Sequence, residues 1–151
     1  MEKKTVSLRW LEPEECADLL LPSYQSASAA GMDIAAAVTV PVSLAPGDIV
    51  LIPTAFAVSI PMGYELQIRP RSGLAIRHGI TIINSPGTID TDYRGEVRIG
   101  LINLGSQPFT INRGDRIAQM VLAPVVRAEL KVVQELDETE RAGGGFGHTG
   151  I

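Results

Sequence analysis

Residues 61–79 read PMGYELQIRPRSGLAIRHG, and this stretch decides the fold class. Tyr64, Leu66 and Ile68 alternate with Glu65, Gln67 and Arg69, the period-two pattern of a strand with one face in a core. Pro61-Met62-Gly63 supplies a turn before it, and Pro70 ends it. Ser72–His78 then reads as a short helix, with an N-cap type residue at its start and Gly79 where a C′ glycine belongs. A strand this short, followed by a helix this short, does not lead into a βαβ unit.

The same alternation recurs outward in both directions. Val6, Leu8 and Trp10 form one set, Phe56, Val58 and Ile60 another, Val97, Ile99 and Leu101 a third, and Phe109 and Ile111 a fourth. Ala45-Pro46-Gly47-Asp48, Leu104-Gly105-Ser106 and Arg113-Gly114-Asp115 read as turns between them. Glycine and proline together number 25, which favours short strands and turns over long helices. The expected fold is all-β, a jelly-roll-like barrel or sandwich with one or two short helical turns. Glu14–Leu20 is the second expected helical stretch, of two turns after Pro13.

At 151 residues the chain fits one domain, and 45% hydrophobic against 20% charged residues allows a true core. A net charge of −4 excludes binding to nucleic acid through bulk positive charge. The longest uncharged stretch, Ile49 to Tyr64, is broken by Pro53 and Pro61 and is shorter than the roughly 20 residues of a membrane helix. Cys16 stands alone, so no internal disulfide forms, and the charged first residues contain no signal-peptide core. A soluble, cytoplasmic chain without a membrane partner is expected. Of 13 basic residues ten are arginine, a skew that suits an anion site and that a GC-rich coding sequence also produces.

Four segments carry groups suited to chemistry. Pro70-Arg71-Ser72-Gly73 joins a strand to a helix start, where backbone N–H groups, a guanidinium and a hydroxyl can cradle phosphate; a capping serine beside a surface arginine is the plainer reading. Asn84 to Gly95, reading NSPGTIDTDYRG, falls between expected strands Ile80–Ile83 and Glu96–Leu104 as a hairpin-like loop. Its Asp90 and Asp92 could orient a water or bind metal, or be ordinary solvated turn residues. Arg116 and Gln119 open an apolar strand expected to run to Val126, where Arg116 needs a partner such as Asp33 or Asp115. Finally RAGGGFGHTG, Arg141 to Gly150, has one large apolar group, Phe146, and reads as a flexible arm that could close over a ligand or simply fray. The arm lacks the ending of a phosphate-binding P-loop, and His78 and His148 are too isolated for a zinc site.

Taken in order, Ala30-Gly31-Met32-Asp33-Ile34, Pro70 to Gly73, Gly87 to Gly95, Arg113 to Gln119 and Arg141 to Gly150 resemble the five motifs of the trimeric dUTP pyrophosphatase (dUTPase) family. Each is weak alone; together they cover residues 30–150 at fitting spacings. Leu21-Pro22 and Ala123-Pro124-Val125 extend the likeness to bacterial members. The resemblance implies a jelly-roll homotrimer with active sites at subunit junctions, a β domain over residues 1–140 and an arm over residues 141–151. The implied reaction is dUTP plus water to dUMP plus pyrophosphate, keeping uracil out of DNA and supplying dUMP for thymidylate synthesis. Mg²⁺ is implied as the cofactor, held by the triphosphate and waters and not directly by the protein.

Position by position, the resemblance implies that Asp90 orients the attacking water. Arg71, Ser72, Gly73 and Gln119 contact phosphate, with Asp33 and Arg116 in support. Asn84, with the backbone of Gly87, Thr88 and Ile89, reads uracil. Tyr93 lies beneath deoxyribose, and Arg98 contacts the base or sugar region. Arg141 clamps the γ-phosphate and Phe146 stacks on the base. The sequence departs from the family at Ala142, His148 and Ile34-Ala35, which bears on arm closure and local salt bridges. Two other functions share the fold: a dCTP deaminase, against which the arm and the Gly87–Tyr93 sequence argue, and a non-catalytic nucleotide-binding module.

Overall fold

Short alternating segments become short strands because each has one apolar face to bury and a turn residue soon ends it. In the computed structural model, which describes residues 3–146, these are β1 (Ser7–Trp10), β2 (Ser23–Tyr24), β3 (Met32–Ala35), β4 (Val42–Leu44), β5 (Ile49–Pro53), β6 (Phe56–Ser59), β7 (Tyr64–Arg69), β8 (Ile80–Ile82), β9 (Gly87–Ile89), β10 (Arg98–Asn103), β11 (Phe109–Ile111) and β12 (Arg116–Pro124). They assemble as β2-β3-β12-β7-β9, β5-β10-β8, β1-β6 and β11-β4, every pairing antiparallel. This is the all-β jelly roll expected from the pattern.

The inward residues meet in one core. Ile34, Leu44, Ile52, Phe56, Leu66, Ile99, Leu101 and Ile111 are all buried within it. Truncating one of these, as in Leu66→Ala, costs about 2–5 kcal/mol in transfer and cavity energy. Cys16, Leu19 and Ala37 form a smaller cluster beside Trp10. Buried Asn103 donates to Leu44 O and Gln107 O, each at 2.9 Å, and accepts from Gly105 N–H at 2.9 Å. Buried Thr54 donates to Val97 O.

Two turns share one design. Asp48 accepts from Ala45 N–H at 2.8 Å, Asp115 accepts from Asn112 N–H at 2.7 Å, and each turn contains a positive-φ glycine, Gly47 or Gly114.

Several expectations are corrected. The Glu14–Leu20 stretch holds only a single 3₁₀ turn, Pro13–Cys16, with no side-chain cap to propagate it. The α-helix, α1 (Ser72–His78), has the expected bounds, but Arg71 is the N-cap and Ser72 is the first helical residue. The strand expected over Glu96–Leu104 is Arg98–Asn103, and the one expected to reach Val126 stops at Pro124. The Asn84–Gly95 segment joins two strands that pair antiparallel, as a hairpin-like loop should, but it also carries a strand of its own, β9. β8 pairs with β10, but β9 pairs with β7, so the chain changes sheets between Ile82 and Gly87, across a cis Ser85–Pro86 bond.

Candidate active site

The register of β12 sets the first cluster. Gln119 lies opposite Asp33 of β3 on one side and Arg69 of β7 on the other. A bulge between Arg116 and Ala118 turns the strand's start, and Arg116 reaches back over Asp33. Asp33 Oδ2 accepts from Arg116 Nη1 at 3.0 Å and stands 3.3 Å from Arg71 Nη2. The expected Arg116 partner is therefore Asp33; Asp115 caps its turn instead.

Arg71 Nη1 donates to Arg116 O at 2.7 Å, and Arg116 Nη1 donates to Gln25 Oε1 at 2.9 Å. Asp33 is only 12% exposed, whereas Arg71 and Arg116 are 27% and 49% exposed. One carboxylate thus orients two guanidiniums whose charge it half neutralises, leaving net positive charge facing solvent.

Beside this cluster, α1 begins. Its first N–H groups have no intrahelical acceptor and no side-chain cap, and the Ser72 hydroxyl makes no hydrogen bond to any other described residue. Gln119 Nε2 donates to Pro70 O at 3.0 Å, tying the strand to the loop. Gly31 closes against it: a Cβ there would lie 2.3 Å from Gln119 Oε1, so a side chain at position 31 would displace the Gln119 amide. Arg71, Ser72, Gly73, Gln119, Asp33 and Arg116 are therefore brought together as an anion-attracting end of the sheet.

The second cluster lies on and beyond β9. Asp90 follows the strand; it is exposed, and its carboxylate has no partner among the described residues. It lines a cavity of about 500 Å³ with Tyr64, Glu65, Asp92 and Arg127. Tyr93 N–H donates to Asp90 O at 3.2 Å, closing a turn. The Tyr93 hydroxyl donates to Glu96 O at 2.9 Å with its ring over Gly95. Arg98 stands 3.5 Å from Glu96. Asn84 lies against Gly87, whose added Cβ would be 3.3 Å from Asn84 Nδ2. Thr88 and Ile89 pair with Gln67 and Leu66.

Ser85 and Pro86, beside Asn84, line one cavity with Pro70 and Gln119, but Asp90 and Arg71 do not meet within the chain. Ile89 pairs with Leu66, so Asp90 falls level with Glu65, while Arg71 lies six positions further along, about 20 Å at 3.3 Å per residue. Arg141 and Phe146 join neither cluster: Arg141 Nε donates to Gly144 O at 2.8 Å within the arm, and Phe146 is fully exposed. His148 lies outside the described residues.

Two features were not anticipated from the sequence. Gln25 is 91 positions from Arg116, and no local signal marks their contact. Residues 126–132 read VRAELKV, an alternating pattern that was legible; Val126, Leu130 and Val132 are almost wholly exposed, and no strand is formed there.

No helix of the described residues is long and apolar enough to cross a membrane. The dUTPase family model matches residues 17–150. The deoxyuridine 5'-triphosphate nucleotidohydrolase of Desulfotalea psychrophila is 63% identical over 151 residues, covering all of both chains. That of Caldanaerobacter subterraneus subsp. tengcongensis is 54% identical over 147 residues, 97% of this chain and 99% of the relative. The Staphylococcus bacteriophage 80alpha dUTPase, solved with dUPNHPP, superposes with a TM-score of 0.86 at 28% identity, covering 99% of this chain and 100% of the other. A phage phi11 dUTPase variant, described with a structural Mg(II) ion, gives a TM-score of 0.77 at 28% identity over 89% of this chain and all of its own. The chain belongs to the dUTPase family and is a dUTP diphosphatase, hydrolysing dUTP to dUMP and pyrophosphate.

Proposed function

We propose that the two clusters are complementary halves of one active site, joined between neighbouring copies in a homotrimer, with the arm over residues 141–151 completing it as a lid on the β domain. The observation that carries this reading is the separation of Asp90 from Arg71. A water held by Asp90 must touch the same phosphorus whose oxygens the Arg71 end holds, and about 20 Å of strand forbids that within one chain. Exposure supports the assembly too. Val126, Ala128, Leu130 and Val132 present one apolar edge with no strand partner among the described residues, as a segment awaiting a neighbour's surface would.

In this reading Arg71, Ser72, the Gly73 backbone and Gln119 hold the triphosphate, with Asp33 and Arg116 fixing Arg71. Asn84 and the backbone of Gly87, Thr88 and Ile89 bond the uracil edge, and a cytosine would leave those groups unpaired. Tyr93 packs beneath deoxyribose, where a 2′-hydroxyl has no room, and Arg98 flanks the sugar. Asp90 takes a proton from the water as its oxygen bonds to the α-phosphorus. The α–β bridging P–O bond breaks, its electrons leaving on pyrophosphate. Arg141 and Phe146 order over bound nucleotide, excluding bulk water.

Mg²⁺ arrives in this reading as part of the MgdUTP substrate. When bound there, it neutralises charge on the phosphate oxygens. A cytoplasmic nucleotide pool is the setting this substrate requires.

The test is pyrophosphate release by purified protein with Mg²⁺ from dUTP, UTP, dCTP and dTTP. Selective turnover of dUTP supports these base and sugar roles; equal turnover of UTP would remove Tyr93 from its role, and equal turnover of dCTP would remove Asn84.

A further inference from the structure

We propose that Gly100 is a specificity-determining position, the back wall that aims Asn84 at the base. This rests on Asn84 as the uracil reader. The Asn84 amide makes no hydrogen bond to any other described residue, so both its donor and its acceptor are unspent. Something other than hydrogen bonding must orient it. Two glycines on different sheets leave it room: Gly87 of β9, where an added Cβ would lie 3.3 Å from Nδ2, and Gly100 of β10, where one would lie 3.8 Å from Oδ1. Asn84 thus sits in the seam where the chain changes sheets.

Neither glycine has positive φ, so the backbone itself demands no glycine at either place. A glycine inside a strand weakens it, and its usual purpose is close approach. At Gly100 the approach is to Ile83, whose N–H donates to Gly100 O at 3.0 Å and whose Cγ2 would stand 3.1 Å from an added Cβ. Ile83 is half-exposed but β-branched, so its methyl yields either by a χ1 change against its rotamer preference or by a shift of its backbone, of which the second is the one proposed. The displaced backbone carries Asn84, the next residue. A single methyl at position 100 therefore changes the aim of the amide and leaves the phosphate end untouched.

The experiment compares Gly100→Ala with wild type, at a temperature where circular dichroism shows both folded. The expected result is a KM for dUTP raised roughly tenfold, kcat within about twofold, and a similar loss of preference for dUTP over dCTP. Gly100→Ala/Ile83→Ala, which removes the obstructing Cγ2, restores the preference. Unchanged preference in Gly100→Ala, or a loss that persists in the double variant, overturns the proposal. Asn84→Ala separates the two layers: if it keeps the preference, the reading of Asn84 itself falls and this proposal with it. If Asn84→Ala loses the preference and Gly100→Ala keeps it, only Gly100 falls.

Discussion

Asp90 and Arg71 stand at opposite ends of β7, about 20 Å apart along the strand, although the proposed mechanism needs both at one phosphorus. The register of two short strands fixes this distance, and side-chain motion does not close it. The same register makes the contribution of each residue separable by mutation.

Asp90→Asn removes the proton acceptor and keeps the side chain's shape. Turnover is expected to fall about 10²–10⁴-fold with the affinity for a non-hydrolysable dUTP analogue within a few-fold of wild type. Single-turnover kinetics and calorimetric binding together check this; a parallel loss of binding would contradict the role.

Removing residues 141–151 leaves every strand and the whole core in place. The truncated chain is expected to melt within a few degrees of the full chain and to lose most of its turnover. Undiminished turnover would end the lid reading.

Leu130 and Val132 are 93% and 98% exposed within their own chain, so Val132→Asp has no core to disturb. Its expected effect is on assembly alone: light scattering after size exclusion shows a shift to smaller species on dilution. A trimer of unchanged stability would show that the apolar edge docks nowhere.

Asp18 is held below its ordinary value of 3.8, chiefly by the hydrogen bonds from Arg113, Nε at 2.7 Å and Nη2 at 2.8 Å. A carboxyl whose pKa is depressed on folding contributes stability above its unfolded value, and that contribution disappears as pH falls through the folded one. Asp18→Asn is therefore expected to lower the melting temperature slightly at neutral pH and to match wild type once the pH has fallen below the folded-state pKa. A difference that persists at the acid end would assign Asp18 a non-ionic role.

What the sequence made legible follows the range of the forces involved. The helix at Ser72–His78 and the turns at Gly47, Gly63 and Gly114 rest on neighbours in the chain, and the alternation at Leu66 and Ile68 reports burial directly. The capping serine failed because Arg71 takes the N-cap while its guanidinium is drawn to Asp33 and Arg116 O, partners far away in sequence. The Asn84–Gly95 segment was legible as a loop between paired strands, but β9 within it was not, because the strand it joins is decided by Ile68 and Leu66, not by the loop. Gln25 was invisible because a lone glutamine gains its meaning only from Arg116. Residues 126–132 carried a readable strand pattern, yet their own chain gives them no strand to join.

The most direct test of the shared site is complementation. Asp90→Asn and Arg71→Ala chains, each nearly inactive alone, are mixed in equal amounts, unfolded and refolded together. If each site takes Asp90 from one copy and Arg71 from its neighbour in a closed ring, about a quarter of sites regain both intact residues. Turnover of dUTP near a quarter of wild type is the predicted result. A mixture no more active than its two components would show that both residues act within one chain, contradicting the account.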